Sequence, residues 1–317
     1  MAKKDYISVT GDDWYQRRRQ DAEGRFFCSM ADQGPRKDEG GSTRQGIYCL
    51  TAGGKLLAYR NAGQNTEVMR QTLRQGLQGW GKLPESERSP GGVGVEEQGE
   101  PDRSYHREPP PNGLILNVHV RSLDRDDDGK FSNATCKAGA GSEASRDHLW
   151  LTEEEWKSLL PPNPKEGGDF PMPSRIAERI LRFHLVDNTR GEPPMWQRDQ
   201  IRSQDMKFLV EEVRPEGILL RLEGFAMLAT DADLGKAERG YDARLLGYLR
   251  YDAKKKAINR FDIVVVGSHW GEGTYTRGAR PGKTPLGIAF ELTRGDSASN
   301  RVPPQGARDL REYFSRK

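Results

Sequence analysis

The sequence predicts an α+β fold. A small N-terminal unit precedes a larger antiparallel β-meander or half-barrel domain with two or three helices. Three observations carry this. Residues 217–292 hold four strand-like segments with two-residue periodicity. No helical pattern separates the middle two, so they pair antiparallel. A Pro/Gly-rich stretch over residues 84–113 reads as a linker between residues 1–83 and residues 114–317.

Within the meander, Ile218, Leu220, Leu222, Ala226 and Leu228 alternate with Arg221, Glu223, Phe225 and Met227. Leu245, Leu249 and Tyr251 mark a second strand, and Ile258 to Val266 a third, rich in β-branched residues. Leu286 to Leu292 is the fourth. Between the last two lies a loop from Gly267 to Gly282, dense in glycine and carrying Trp270, Tyr275, Arg277 and Arg280. Loops on rigid scaffolds often carry binding chemistry, so these four are candidate ligand-binding residues. Forked guanidinium groups and an aromatic face suit an anionic or sugar-like ligand. The competing reading is a structural salt-bridge network that fastens the loop.

In the N-terminal unit, Asp12 and Asp13 can cap a helix whose apolar stripe is Trp14, Ala22, Phe26 and Met30, interrupted by Gly24. Gly46 to Leu50 and Lys55 to Tyr59 form two strands around a Gly-Gly turn. Thr66 is positioned to cap a helix with stripe Met69, Leu73, Leu77 and Trp80.

The order strand, turn, strand, amphipathic helix over residues 42–82 resembles the second half of a thioredoxin-like domain. The family's cis-proline position reads Thr43-Arg44-Gln45-Gly46, and no CxxC follows a first strand. The resemblance therefore implies a redox-dead scaffold or docking unit. The whole chain is similar to an uncharacterised family of bacterial proteins that join such a segment to a β-rich C-terminal domain.

Further along, Leu114 to Val120 opens the second domain as a strand. Asp124, Asp126 and Asp128 with Gly129 match the first half of a calcium loop, but position 12 is Thr135, which supplies no bidentate carboxylate. A solvated acidic turn competes with this reading. Asn133-Ala134-Thr135 has glycosylation spacing. Thr152 to Glu155 is a capping box, and Ser174 is positioned to cap a helix bearing Ile176, Ile180 and Phe183/His184.

Two of the five histidines stand three residues before a carboxylate: His184 with Asp187, and His269 with Glu272. Converging on one cavity, these four would hold a transition metal through mixed nitrogen and oxygen ligands. Each histidine taken singly reads as structural. Cys28, Cys49 and Cys136 leave at least one thiol unpaired. Cys28 and Cys49 are the redox candidates, and Arg25 beside Cys28 would favour its thiolate. No zincin, nucleophile-elbow or phosphate-loop motif is present.

Net charge is +3, with 31% charged residues interspersed rather than massed, which gives no footprint for nucleic acid. No apolar run reaches membrane-spanning length. Localisation is extracytoplasmic if the start replaces a trimmed leader, and otherwise cytoplasmic. The leading expectation is a non-catalytic binding or assembly protein that takes an unidentified ligand or partner at the β-domain rim. A metal-dependent enzyme with a transition metal in the His/carboxylate set and a thiol-redox protein are the alternatives, so enzymatic activity stays open; calcium in the acidic loop would be a structural ion.

Overall fold

The computed structural model describes residues 1–37, 43–61, 65–133, 144–295 and 297–314 of the chain. It divides into two compact units, Met1–Arg107 and Glu108–Lys317. Cys136, Thr135 and the glycosylation-like triplet beyond Asn133 lie outside the described residues.

In the first unit, α1 (Ala2–Asp5) precedes α2 (Asp13–Gln16) and α3 (Ala22–Ala31). The single helix expected from Asp12 to Met30 is thus two. Asp12 caps α2 through the Trp14 N–H (2.8 Å), and Asp21 caps α3 through the Gly24 N–H (3.0 Å). A Cβ on Gly24 would come within 2.3 Å of the Arg19 carbonyl, so the chain turns tightly where the stripe was expected to run through. The hairpin of β1 (Ile47–Leu50) and β2 (Leu56–Arg60) is antiparallel, and α4 (Thr66–Gly81) packs against both strands. Asn65, not Thr66, caps α4, accepting from Glu67 and Val68. The stretch expected to be a linker begins inside this unit with α5 (Glu85–Arg88). Glu87 pairs with Lys55, Glu96 with Arg25, and Asp102 accepts from Gln20, so local polar contacts hold it.

The second unit is a nine-stranded antiparallel sheet. Its strands are β3 (Leu114–Arg125), β4 (Phe131–Asn133), β5 (Ser145–Leu151), β6 (Asp169–Pro171), β7 (Ile201–Arg214), β8 (Gly217–Ala229), β9 (Gly240–Asp252), β10 (Ala257–Trp270) and β11 (Thr284–Leu292). Strands β7 to β11 form a sequential meander beginning beside β6, and β11 then pairs with β3, whose other edge takes β4 and β5. The five expected strands of this unit, β3 and β8 to β11, are all present and longer than read. β4, β5, β6 and β7 are additions.

One face of the sheet is buried by the segment between β5 and β7. This contains α6 (Glu153–Ser158), α7 (Ser174–Arg179) and a π-helical turn (Ile180–His184). Leu220, Leu222, Leu228, Phe261, Ile263 and Val265 are buried against Trp156, Ile176, Ile180, Leu181 and Trp196. The Thr152 capping box forms as expected, but Pro173 rather than Ser174 stands at the α7 cap. The opposite face is left with Leu246 and Val264 about half exposed. Among the described residues no helix is long and apolar enough to cross a membrane.

The open edge at β5 is covered. α8 (Leu310–Tyr313) places the Tyr313 hydroxyl under the Trp150 N–H (3.1 Å), and Arg179 donates to the Trp150 carbonyl (3.0 Å). Both outward backbone groups of this residue are therefore spent, which blocks strand addition there.

Candidate functional site

The polar chemistry gathers at one end of the sheet, where the β8–β9 connection, the β10–β11 loop and residues 185–196 meet. The glycine pattern explains how. Gly271 has φ +81°, and a Cβ there would lie 1.9 Å from the Glu238 carbonyl, so only glycine lets the loop press on the β8–β9 turn. Gly240 is covered by the Trp270 ring, whose Nε1 donates to the Ala237 carbonyl (3.0 Å). Lys283 lies over the same ring at 4.5 Å. Trp270 is thus a wedge locking two loops together, not the free stacking face expected of it.

Arginines do most of the fastening. Asp187 follows the π-helical turn and accepts from the Thr189 N–H (3.0 Å), the Thr189 hydroxyl (2.6 Å) and Arg190 Nε (2.9 Å). Arg190 in turn donates to the carbonyls of Thr276 and Gly271. Arg280 donates to the Leu123 carbonyl (2.9 Å), Asp124 (2.6 Å) and the Pro285 carbonyl (2.9 Å). Glu272 accepts from the N–H groups of Gly278 (2.7 Å) and Ala279 (3.1 Å). The structural network weighed against ligand binding is therefore present, and Arg280 belongs to it. Tyr275 and Arg277 remain exposed, Tyr275 at 74%.

Inside this network is a small cavity of about 30 Å³, room for roughly one water-sized group. Ser122, Asp187, Arg190, His269, Arg280 and Thr284 contribute to its walls. The cross-strand register creates this. His269 lies opposite Thr284, and Ser122 opposite Leu286, on the buried face where the apolar core gives way to polar residues. Among the described residues, neither the His269 ring nitrogens nor the Ser122 hydroxyl has a hydrogen-bond partner, although both residues are buried.

Electrostatics at His269 are one-sided. Burial is the main cause that pushes its pKa down to about 4, and the positive charges of Arg190, Arg239 and Arg280 act in the same direction against Asp187. The imidazole is neutral at physiological pH. Burial pushes the Asp187 carboxyl up, but the Thr189 hydrogen bonds and the charge of Arg190 outweigh it and hold it below its ordinary value, so Asp187 stays ionised.

The second histidine site is elsewhere. His184 Nε2 lies 3.0 Å from the Tyr313 hydroxyl, and Nδ1 lies 3.3 Å from Asp147. The Trp150 N–H donates to the same hydroxyl (3.1 Å), and among the described residues Nδ1 makes no hydrogen bond despite its closeness to Asp147. Asp147 accepts from the Gln305 N–H (3.1 Å). With Phe183, Trp150, Ala307 and Phe314 around it, this group clamps the C-terminal segment.

The metal set His184, Asp187, His269 and Glu272 therefore does not assemble. His184 lies against Tyr313 and Asp147, away from the other three, and Glu272 is spent on its own loop. Among the described residues no group of three or more His, Cys, Asp or Glu side chains is placed to hold a metal. The calcium set fails likewise. Asp124 pairs with Arg280, Asp128 with Lys130 (3.7 Å), and Asp126 accepts from the Lys130 N–H (2.8 Å), closing the β3–β4 turn. Nor do Cys28 and Cys49 bridge one another, and burial raises the pKa of Cys49, a poor setting for a thiolate.

Sequence reasoning did not single out Ser122, Thr284 or Arg190 for this site. Asp187-x-x-Arg190 after a helix was the available signal for the clasp. Ser122 carries no local signal, because only strand register brings it to His269. Comparison with known protein families, curated proteins and solved structures gives no match.

Proposed function

We propose that the chain is a non-catalytic binding protein whose β-sheet rim takes a compact oxyanion such as sulfate or phosphate. One observation supports this above the others. A neutral imidazole and a serine hydroxyl, both unpaired among the described residues, share a small polar cavity with two arginines and one carboxylate. The cavity accommodates one oxygen of an oxyanion, with the remaining oxygens at its mouth. Preorganised donors in a water-poor site hold such an oxygen without reorganisation. The exposed Tyr275 and Arg277 then flank the bound group. Docking is assigned to the first unit, whose Cys28 and Cys49 do not bridge one another.

The test is a titration of the full chain with sulfate and phosphate, read by thermal midpoint against chloride at matched ionic strength. A saturable rise specific to the oxyanions is expected, at least tenfold weaker in His269→Leu and reduced in Ser122→Ala. Identical responses to sulfate, phosphate and chloride would remove the reading.

A further inference from the structure

Five arginines in the described structure are more than nine-tenths buried: Arg19, Arg44, Arg179, Arg182 and Arg239. Four of them have carboxylate partners. Arg19 pairs with Asp21, Arg44 with Asp32, Arg179 with Glu155, and Arg182 with Glu178. Arg239 has none among the described residues. Its only hydrogen bond from the side chain runs from Nη1 to the Pro194 carbonyl (2.6 Å). Burial alone pushes its pKa down, to about 10, so it remains charged at neutral pH.

The group is also held rigidly. Its backbone N–H donates to the Thr230 hydroxyl (3.2 Å), and its carbonyl accepts from the Thr230 N–H (3.0 Å). The guanidinium carbon sits 3.9 Å from the centre of the Trp196 ring. Trp196 is fully buried and fixed through Nε1 to the Leu185 carbonyl (2.8 Å). Nε and Nη2 of Arg239 have no partner among the described residues, yet neither is sealed from solvent. With Nη1 committed to Pro194, these two N–H groups are the side-on fork that binds a carboxylate through two parallel hydrogen bonds. Arg239 does not line the small cavity, so this fork is a separate feature.

We infer that Arg239 is an anchor for a carboxylate ligand, bound through Nε and Nη2 at the narrow opening beside Trp196 and Pro194. A buried charge without a counter-ion carries a desolvation cost that a bound anion offsets. The fork is preorganised, so little freedom is lost on binding. A planar carboxylate suits the opening better than a tetrahedral phosphate, because the residue is only 6% exposed.

The test uses the full chain and acetate as the probe. Thermal midpoints are measured across an acetate series against chloride at matched ionic strength, and the arginine side-chain N–H resonances are followed by NMR. Acetate should give a saturable stabilisation and shift one arginine Nε–H resonance. Arg239→Lys, which keeps the charge and loses the fork, should bind acetate at least tenfold more weakly. His269→Leu should leave acetate binding unchanged, which separates this anchor from the oxyanion cavity. Arg239→Met should be at least as stable as the parent without acetate; should it fail to fold, the lysine variant decides. Unchanged acetate affinity in Arg239→Lys, or equal responses to acetate and chloride, would overturn the inference. A response to phosphate but not acetate at this arginine would also overturn it.

Discussion

Arg179 and Arg239 are both buried, and both stack on aromatic rings, yet they do opposite things. Arg179 lies over Tyr313 and Phe314 and engages all three nitrogens: on Glu155, on the Trp150 carbonyl and on the Tyr313 carbonyl (2.7 Å). Arg239 lies over Trp196 and spends one nitrogen, on the Pro194 carbonyl. Burial and stacking therefore do not distinguish a structural arginine from one available for binding. The count of unspent donors does. Arg179 is a bolt between a helix, a strand edge and the C-terminal segment, and no nitrogen is left over to form a fork for a ligand.

The contrast can be broken most sharply at Glu155. Burial pushes its carboxyl up, but the hydrogen bonds and charge of Arg179 hold it below the usual range. Glu155→Ala leaves Arg179 as an uncompensated buried charge, and a loss of roughly 3–5 kcal/mol is expected in chemical denaturation of the full chain. The next effect belongs to acid. His269 is depressed to about 4 from 6.5, so between these values the unfolded chain binds more protons than the folded one. Stability therefore falls as pH drops from 6.5 toward 4, by about 3 kcal/mol from this group. Denaturation series at stepped pH should show this slope, and His269→Leu should flatten it. Lowered pKa values at Glu155 and Asp187 act in the same direction, nearer pH 4.

Smaller again is Tyr313→Phe. It strips one hydroxyl from the Trp150 N–H and from His184, at about 1–3 kcal/mol. The smallest effect is expected at Arg239→Met, within ~1 kcal/mol of the parent, because replacing an unpaired buried charge by an apolar chain of similar length is near neutral. A loss at Arg239 as large as that at Glu155 would erase the distinction between the two arginines.

Much of the sheet was legible because alternation was. Leu220, Leu222, Ala226 and Leu228 share the buried face, as period two requires. β5 was missed because Leu149, Trp150 and Leu151 are all buried, so no alternation is visible when both faces are covered. β7 does alternate at Met206, Phe208 and Val210, but its polar ends hid it. The glycine-rich loop was identifiable as a centre of polar chemistry. Which of its residues are spent was not, because the partners are remote: Arg280 meets Leu123 across 157 positions, and Arg239 meets Pro194 across 45. The similar spacing of His184/Asp187 and His269/Glu272 misled for the same reason. His184 turns toward Tyr313, 129 positions away, which no local pattern encodes.

The pairing of β11 with β3 has a consequence for how the chain is made. Leu116 to Ser122, near the start of the second unit, pairs with Leu286 to Leu292, near its end. The meander between them can form from neighbouring strands as they emerge. β3 cannot complete its ladder until Leu286 to Leu292 have left the ribosome, and such non-local pairing is slow. Until then it presents an open apolar edge, the kind of surface that draws chaperones or another copy of the same chain. Conditions of synthesis that delay β11 should therefore lower the yield of folded protein more than those that slow the meander itself.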